Sequence, residues 1–364
     1  MPFDTPQHNT SISLPVRAWL CCVAALVASM VLVGGATRLT DSGLSITEWL
    51  PIMGVIPPLN AEDWQIAFDK YRQIPEYLQV NAGMSLDDFK FIYWWEWAHR
   101  FLGRVVGIVF LLPFLWFLAR GAIPKRLVWP LWGLFALGGV QGFLGWYMVQ
   151  SGLTERVDVS QYRLAAHLGL AIVIYCVTVW IVLRYRGRKA HTDRWHTLPT
   201  GLAWSAVGLS AGIFLQIISG AFVAGMRAGL AHNTWPLMDG QFIPDGLFIM
   251  SPAWANLFEN AMTVQFNHRM LAYVLTAWAL LHAVQILRQP SLAARRSAIA
   301  LAGVTLAQVA LGIATLLAMV PVWMGVMHQA GALVVLTVAL VHAASALDAA
   351  RATQPAPKAE LLPA

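Results

Sequence analysis

Ten histidines occur in the 364 residues of the chain, and four of them, His99, His167, His268 and His328, lie inside long apolar runs. An ionisable group in such a place is costly, and it faces a bundle interior or a cofactor when it is kept. The other six carry no pattern: His8, His191, His196 and His232 fall in terminal or loop segments, and His282 and His342 lie toward the far ends of their runs. A single intramembrane histidine is commonly a hydrogen-bonded packing residue. Four at corresponding positions ask for another account. In each half of the chain two runs present one imidazole apiece, the arrangement that clamps a haem iron from both sides inside a helical bundle. Zinc needs three or four ligands, commonly with a cysteine or carboxylate among them. Cys21, Cys22 and Cys176 all sit within apolar runs and form no CxxC or zinc spacing. Gly103, Gly169 and Gly331, near the histidines, either admit a flat macrocycle to the backbone or serve ordinary close helix packing.

One asymmetry bears on reactivity. Glu96 precedes His99 by three residues, so on a helix both side chains face one way. The matching residue before His268 is Gln265, which cannot ionise. A carboxylate beside a haem in a low-dielectric site either moves protons and stabilises developing positive charge or holds an imidazole by a hydrogen bond. An orienting role is needed in both halves, and this favours chemistry at Glu96, with the first half as the reacting one. Arg100 and Arg269 follow their histidines directly and point about 100° away on a helix. They reach haem propionates, reach the loops, or snorkel to the interface.

The elements that carry these residues are transmembrane helices. The chain is 58% hydrophobic and only 12% charged, against about 25% charged in a soluble domain. Apolar runs predict spans at 16–37, 91–119, 127–149, 163–185, 201–225, 264–287, 297–320 and 325–348, each able to cross a core of ~30 Å. The first exceeds a signal-peptide core and has no small-x-small cleavage site, so it is read as a retained helix. The formal charge of +6 does not mark a nucleic-acid binder, because it sits in short loops as a topology signal. Arg120, Lys125 and Arg126, then Arg184, Arg186, Arg188, Lys189 and Arg194, then Arg288, Arg295 and Arg296 fall in alternate loops. The segment 38–90 holds Asp41, Glu48, Glu62, Asp63, Asp69, Glu76, Asp87 and Asp88 against four basic residues. Both termini are therefore expected in the cytoplasm, and 38–90 is expected outside as a folded cap over the first site.

Short matches recur in the same order in both halves. SGL at 42–44 with Trp49, Pro51 and Met53 pairs with AGL at 228–230 with Trp235, Pro236 and Met238. Glu96-Trp-Ala-His99-Arg100 pairs with Gln265-Phe-Asn-His268-Arg269, Gln141 and Gly145 with Gln308 and Gly312, and His167 with His328. The expected fold is an all-α membrane protein of eight transmembrane helices, arranged as two pseudo-symmetric four-helix bundles in a parallel internal repeat. Its divisions are a cytoplasmic tail (1–15), a first half (16–185), a cytoplasmic linker (186–200), a second half (201–348) and a disordered, Ala- and Pro-rich tail (349–364).

The motifs GGATRLTDSGLS (34–45), EWLPIMGVIPP (48–58), WWEWAHRFLGR (94–104) and QFNHRMLAY (265–273), with the contexts of His167 and His328, resemble haem A synthase over nearly the whole chain. The resemblance implies a haem-containing enzyme of the bacterial inner membrane that oxidises a methyl group of haem O to the formyl group of haem A for terminal oxidases. It implies haem O as substrate between His99 and His167, haem B as cofactor between His268 and His328, and an essential carboxylate at Glu96. Some members carry loop cysteine pairs; this chain has none there, like the proteobacterial and mitochondrial branch. Expected partners are haem O, an electron donor that the residues do not name, haem O synthase, membrane lipids and a homo-oligomeric copy, with no nucleic acid. The residues alone also allow a diheme b-type cytochrome exchanging electrons with quinone. A transporter is disfavoured, since the four histidines lie near one face.

Overall fold

The structure, a computed structural model, describes residues 11–50, 52–154, 156–185 and 198–351. His8, His191 and His196, most of the linker and the tail beyond Arg351 lie outside the described residues. The order of helices is α1 (Leu14–Leu39), α2 (Ala61–Tyr71), α3 (Pro75–Gln79), α4 (Leu86–Ala119), α5 (Lys125–Thr154), α6 (Gln161–Arg184), α7 (Thr200–Gly225), α8 (Asn256–Glu259), α9 (Ala261–Leu287), α10 (Leu292–Leu317) and α11 (Val322–Arg351). Eight of them, α1, α4, α5, α6, α7, α9, α10 and α11, are long and apolar enough to cross a bilayer. The chain is a multi-pass helical membrane protein. No strand occurs among the described residues, only an isolated bridge between Met238 and Gln241.

The helices outrun the apolar runs because polar residues cap them. Ser85 and Asp88 form a reciprocal capping box, so α4 starts at Leu86, with Asp87 and Asp88 favourably placed in its first turn. Ser291 accepts from the Ala294 amide and starts α10 at Leu292. Arg295 and Arg296 therefore lie within the helix and not in the preceding loop. Asn260 accepts from the Met262 and Thr263 amides and starts α9.

Helices α1 and α11 occupy the centre. α1 packs on α4, α6 and α11, while α11 packs on α10, α7, α6 and α1. Their shared core is apolar, with Leu20, Phe114, Leu131, Ile172, Leu209, Leu301 and Leu336 fully buried. Toward the other end the packing residues shrink to Ala203, Ala206, Ala283, Ala294, Ala298, Ala343 and Ala346. Without a hydrophobic drive between helices in lipid, such small side chains let backbones approach. Polar cross-links add to this: Tyr175 Oη lies 2.7 Å from Thr337 Oγ1, Arg184 pairs with Asp348 at 2.5 Å, and Gln329 Nε2 donates to the Val31 carbonyl at 3.1 Å. Trp129, Trp204, Val274 and Leu281 face outward, as lipid contact requires.

The segment between α1 and α4 folds as a small cap. α2 and α3 close over a core of Leu44, Phe68, Tyr71, Ile74, Phe89, Ile92 and Tyr93, with edge-to-face contacts joining Trp64, Phe68, Tyr71, Tyr77 and Phe89. Inside this core Glu76 Oε2 lies 3.2 Å from Tyr71 Oη, which accepts from Asn81 Nδ2 at 2.7 Å. Burial raises the Glu76 pKa to about 8, helped by the charges of Asp41, Glu96 and Asp158, although the Tyr71 contact opposes the rise. Burial pushes the Tyr71 phenol up as well. A raised carboxyl pKa means that the fold prefers the protonated acid. Its contribution is complete below the ordinary value of 4.5 and is lost as pH rises through about 8. Glu76→Gln keeps the group neutral at every pH. Hydrogen exchange over 61–79 is expected to accelerate in the wild type relative to Glu76→Gln as pH rises from 4.5 to about 8, and to keep a constant ratio above it. Parallel exchange of the two proteins through pH 9 would show that Glu76 does not control the cap.

Candidate functional site

Each of the four histidines packs its imidazole against a glycine on a neighbouring long helix. A Cβ added to Gly34 of α1 would lie 2.7 Å from Cε1 of His99 on α4, and one on Gly145 of α5 would lie 3.0 Å from His167 of α6. The same contact joins Gly220 of α7 to His268 of α9 at 3.3 Å, and Gly312 of α10 to His328 of α11 at 2.7 Å. These glycines, and not Gly103 or Gly169, back the rings. Gly103 meets Met30 and Gly169 meets Ile218, as ordinary helix packing, while Gly331 makes room for the side chain of Gln308. The reason is geometric: the approach comes from the partner helix, not from the histidine's own turn.

Three of the rings also carry a glutamine amide. Gln141 Nε2 lies 3.1 Å from His167 Nδ1, Gln216 Nε2 3.1 Å from His268 Nδ1, and Gln308 Nε2 3.1 Å from His328 Nδ1. Each amide also donates to the backbone carbonyl of its histidine, at 3.0, 3.0 and 2.8 Å. Each glutamine stands four residues before the glycine, so Gln-x-x-x-Gly on one helix forms a ledge for a histidine on another. The pairs at 141/145 and 308/312 are visible in the sequence repeat; that at 216/220 is the signal that repeat matching missed. His99 and His167 lie close enough for Coulombic interaction, and so do His268 and His328.

The donor set fits a planar macrocycle held through two axial imidazoles. The rings are half-buried, lining the interior without being sealed in it. The Oε1 atoms of Gln141, Gln216 and Gln308 are buried without a partner, which leaves an acceptor one amide's width from Nδ1. An iron-bound neutral imidazole carries its proton on that nitrogen and needs such an acceptor. Among the described residues no cluster of three or more metal-binding side chains occurs.

Glu96 and Gln265 both direct their hydrogen bonds to a loop and an arginine rather than to their histidines. Glu96 Oε2 accepts from Ser45 Oγ and the Ile46 amide, both at 2.7 Å. Its Oε1 accepts from Arg100 Nε at 3.1 Å and Nη2 at 2.6 Å. Arg100 in turn donates to the carbonyls of Glu48 at 2.9 Å and Ile46 at 2.8 Å. Gln265 Nε2 donates to the carbonyls of Ala228 at 2.8 Å and His232 at 3.2 Å, and its Oε1 accepts from Arg269 at 3.1 Å. Arg269 donates to the carbonyls of Thr234 and His232. The device is the same and the polarity is reversed: one loop presents donors to a carboxylate, the other presents carbonyls to an amide. Arg100 and Arg104 border a cavity of about 370 Å³ beneath residues 46–59.

Two residues without pattern in the sequence prove connected. His282 Nε2 lies 2.8 Å from His342 Nε2, and His342 Nδ1 lies 2.8 Å from Ser297 Oγ. Both imidazoles are almost fully buried, and His282 Nδ1 has no partner. His232 sets its imidazole against Asp239.

Eight apolar helices, four of them carrying an intramembrane histidine, define a class of multi-pass helical membrane protein. A family model described as cytochrome oxidase assembly protein matches residues 17–340, and the chain belongs to that family. A relative from Parvibaculum lavamentivorans named heme A synthase is 55% identical over 329 residues, covering 89% of this chain and 92% of its own. Relatives of the same name from Rhodopseudomonas palustris and Rhizobium meliloti are each 54% identical over 330 residues, covering 90% of this chain and 88% of theirs.

The glycine ledge makes a direct prediction. Gly312→Ala is expected to push His328 off its position and to lower thermal stability by ~1–3 kcal/mol, as overpacking does. Gly303→Ala on the same helix meets open space and is expected to be neutral or slightly stabilising in the same melt. Equal effects of the two would remove the ledge from the account.

Proposed function

We propose that this chain is a haem A synthase, an oxidoreductase that converts haem O to haem A by oxidising a methyl substituent to a formyl group. The observation that carries the reading is the coincidence of two histidine pairs, each ring backed by a glycine, with near-full-length likeness to proteins named heme A synthase. In this reading His99 and His167 hold haem O, and His268 and His328 hold a resident haem B. Bound iron porphyrin supplies the redox chemistry. The chain's own residues hold the rings, close the cap and place the Glu96 carboxylate. The charge distribution supports a bacterial inner-membrane protein with both termini in the cytoplasm and the cap outside. A diheme carrier is not favoured by the names of the relatives.

His268→Ala and His328→Ala are each expected to remove one tightly bound low-spin haem from the purified protein. Unchanged haem content and spectra in both variants would rule out the second pair as ligands.

Glu96 is proposed as the reacting carboxylate, and its surroundings sharpen the test. Gln265 succeeds in its own setting because loop carbonyls face its amide. An amide at position 96 meets donors alone at the Ile46 N–H and Arg100, with the Ser45 hydroxyl as its one acceptor, so it satisfies one side and opposes the other. Glu96→Gln is expected to slow haem O conversion by a factor on the order of 10²–10⁴, with haem retained in the second half. Ser45→Ala removes one donor and keeps the charge, and conversion is expected to stay within a few-fold of wild type. Equal loss in both variants, read as haem A per protein, would show that Glu96 acts only by docking the loop.

A further inference from the structure

The ledge that supports the histidines is complete three times and broken once. Four residues before Gly34, where the other helices carry Gln141, Gln216 and Gln308, the chain has Met30. His268 has a second polar neighbour, Ser219 Oγ at 3.3 Å from Nδ1; Ser219 directly precedes Gly220, and Val33 directly precedes Gly34. The positions that give His268 its two polar contacts thus hold the apolar residues Met30 and Val33 on α1. The result is visible in the structure: His99 Nδ1 is buried with no hydrogen-bond partner. An axial imidazole is oriented, and made more basic, by the acceptor on its second nitrogen. A thioether is only a weak acceptor and an isopropyl group is none.

We propose that His99 is the exchangeable axial ligand of the first pair, and that Met30 is a positioning residue whose failure to hold the ring keeps it so. His167 stays fixed by Gln141, while His99 releases and rebinds. The inference rests on the reading that the first pair holds haem O. It gives that reading a physical basis, since a site that admits a substrate haem and releases a product haem needs a ligand that lets go. The second pair, with Gln216, Ser219 and Gln308 in place, has the construction of a site that keeps its haem.

The test uses the full-length protein in detergent, loaded with haem O, and follows haem transfer to an excess of an apo-globin. Wild type is expected to lose haem in a fast phase from the first pair and a slow phase from the second. The ferrous protein is expected to bind carbon monoxide at one haem. Met30→Gln supplies the missing amide and is expected to slow the fast phase by ~10–100-fold, the range for an outer-shell partner of a metal ligand, and to suppress carbon monoxide binding. Met30→Leu is expected to exchange like wild type. Gln216→Met, the converse change in the second half, is expected to accelerate the slow phase by a similar factor. Exchange and carbon monoxide binding unchanged in Met30→Gln, while His99→Ala empties the first pair, would overturn the proposal and leave the ligand assignment standing. If Met30→Gln does not fold, Gln216→Met decides, and an unaltered slow phase overturns the proposal. Haem content and spectra unchanged in both His99→Ala and His167→Ala would instead overturn the ligand reading and take the proposal with it.

Discussion

The structure depends on bringing a polar five-membered ring to the surface of a neighbouring helix inside an apolar bundle. An imidazole there needs room and a polar partner. The room comes from a glycine: a Cβ in its place would stand 2.7–3.3 Å from the ring, close enough that the ring would have to give way. In three of four cases the partner comes from a glutamine one turn earlier on the same helix. Because the glycine fixes how near the two helices lie, it also fixes where the ring stands. The remaining contacts, from the leucine and phenylalanine core to the alanine-lined far end, hold helices whose spacing is already set.

The loops follow the same economy. Position 96 and position 265 each lock the loop above their histidine, through Arg100 and Arg269 as much as through their own side chains. A carboxylate is suited to a loop that offers N–H and O–H groups; an amide is suited to one that offers carbonyls. The two residues therefore differ for a structural reason as well as a chemical one, and the sequence shows only that they differ. The Glu96 carboxylate already accepts four hydrogen bonds before it reacts with anything.

Much of the fold was legible because bilayer thickness imposes a length that apolar runs reveal directly. The eight spans and the four histidines within them were readable on that ground. Helix ends were not, since Ser85, Asn260 and Ser291 extend helices through polar residues by capping. The ledge was half-legible: Gln141 and Gly145 match Gln308 and Gly312, but Gln216 with Gly220 does not surface when halves are aligned, because its counterpart is Met30 with Gly34. His282 and His342 looked featureless because sixty positions separate them, and they meet only because α9 and α11 both pack on α7 and α10.

Gly34 and Gly35 are adjacent on α1, yet they serve different side chains. Gly34 backs His99, while Gly35 makes room for Gln329, the residue next to His328, whose amide is bonded to α1 at Val31. One stretch of bare backbone thus borders both halves, and a side chain added to it would be felt in a different half at each position: by His99 at 34, by Gln329 at 35.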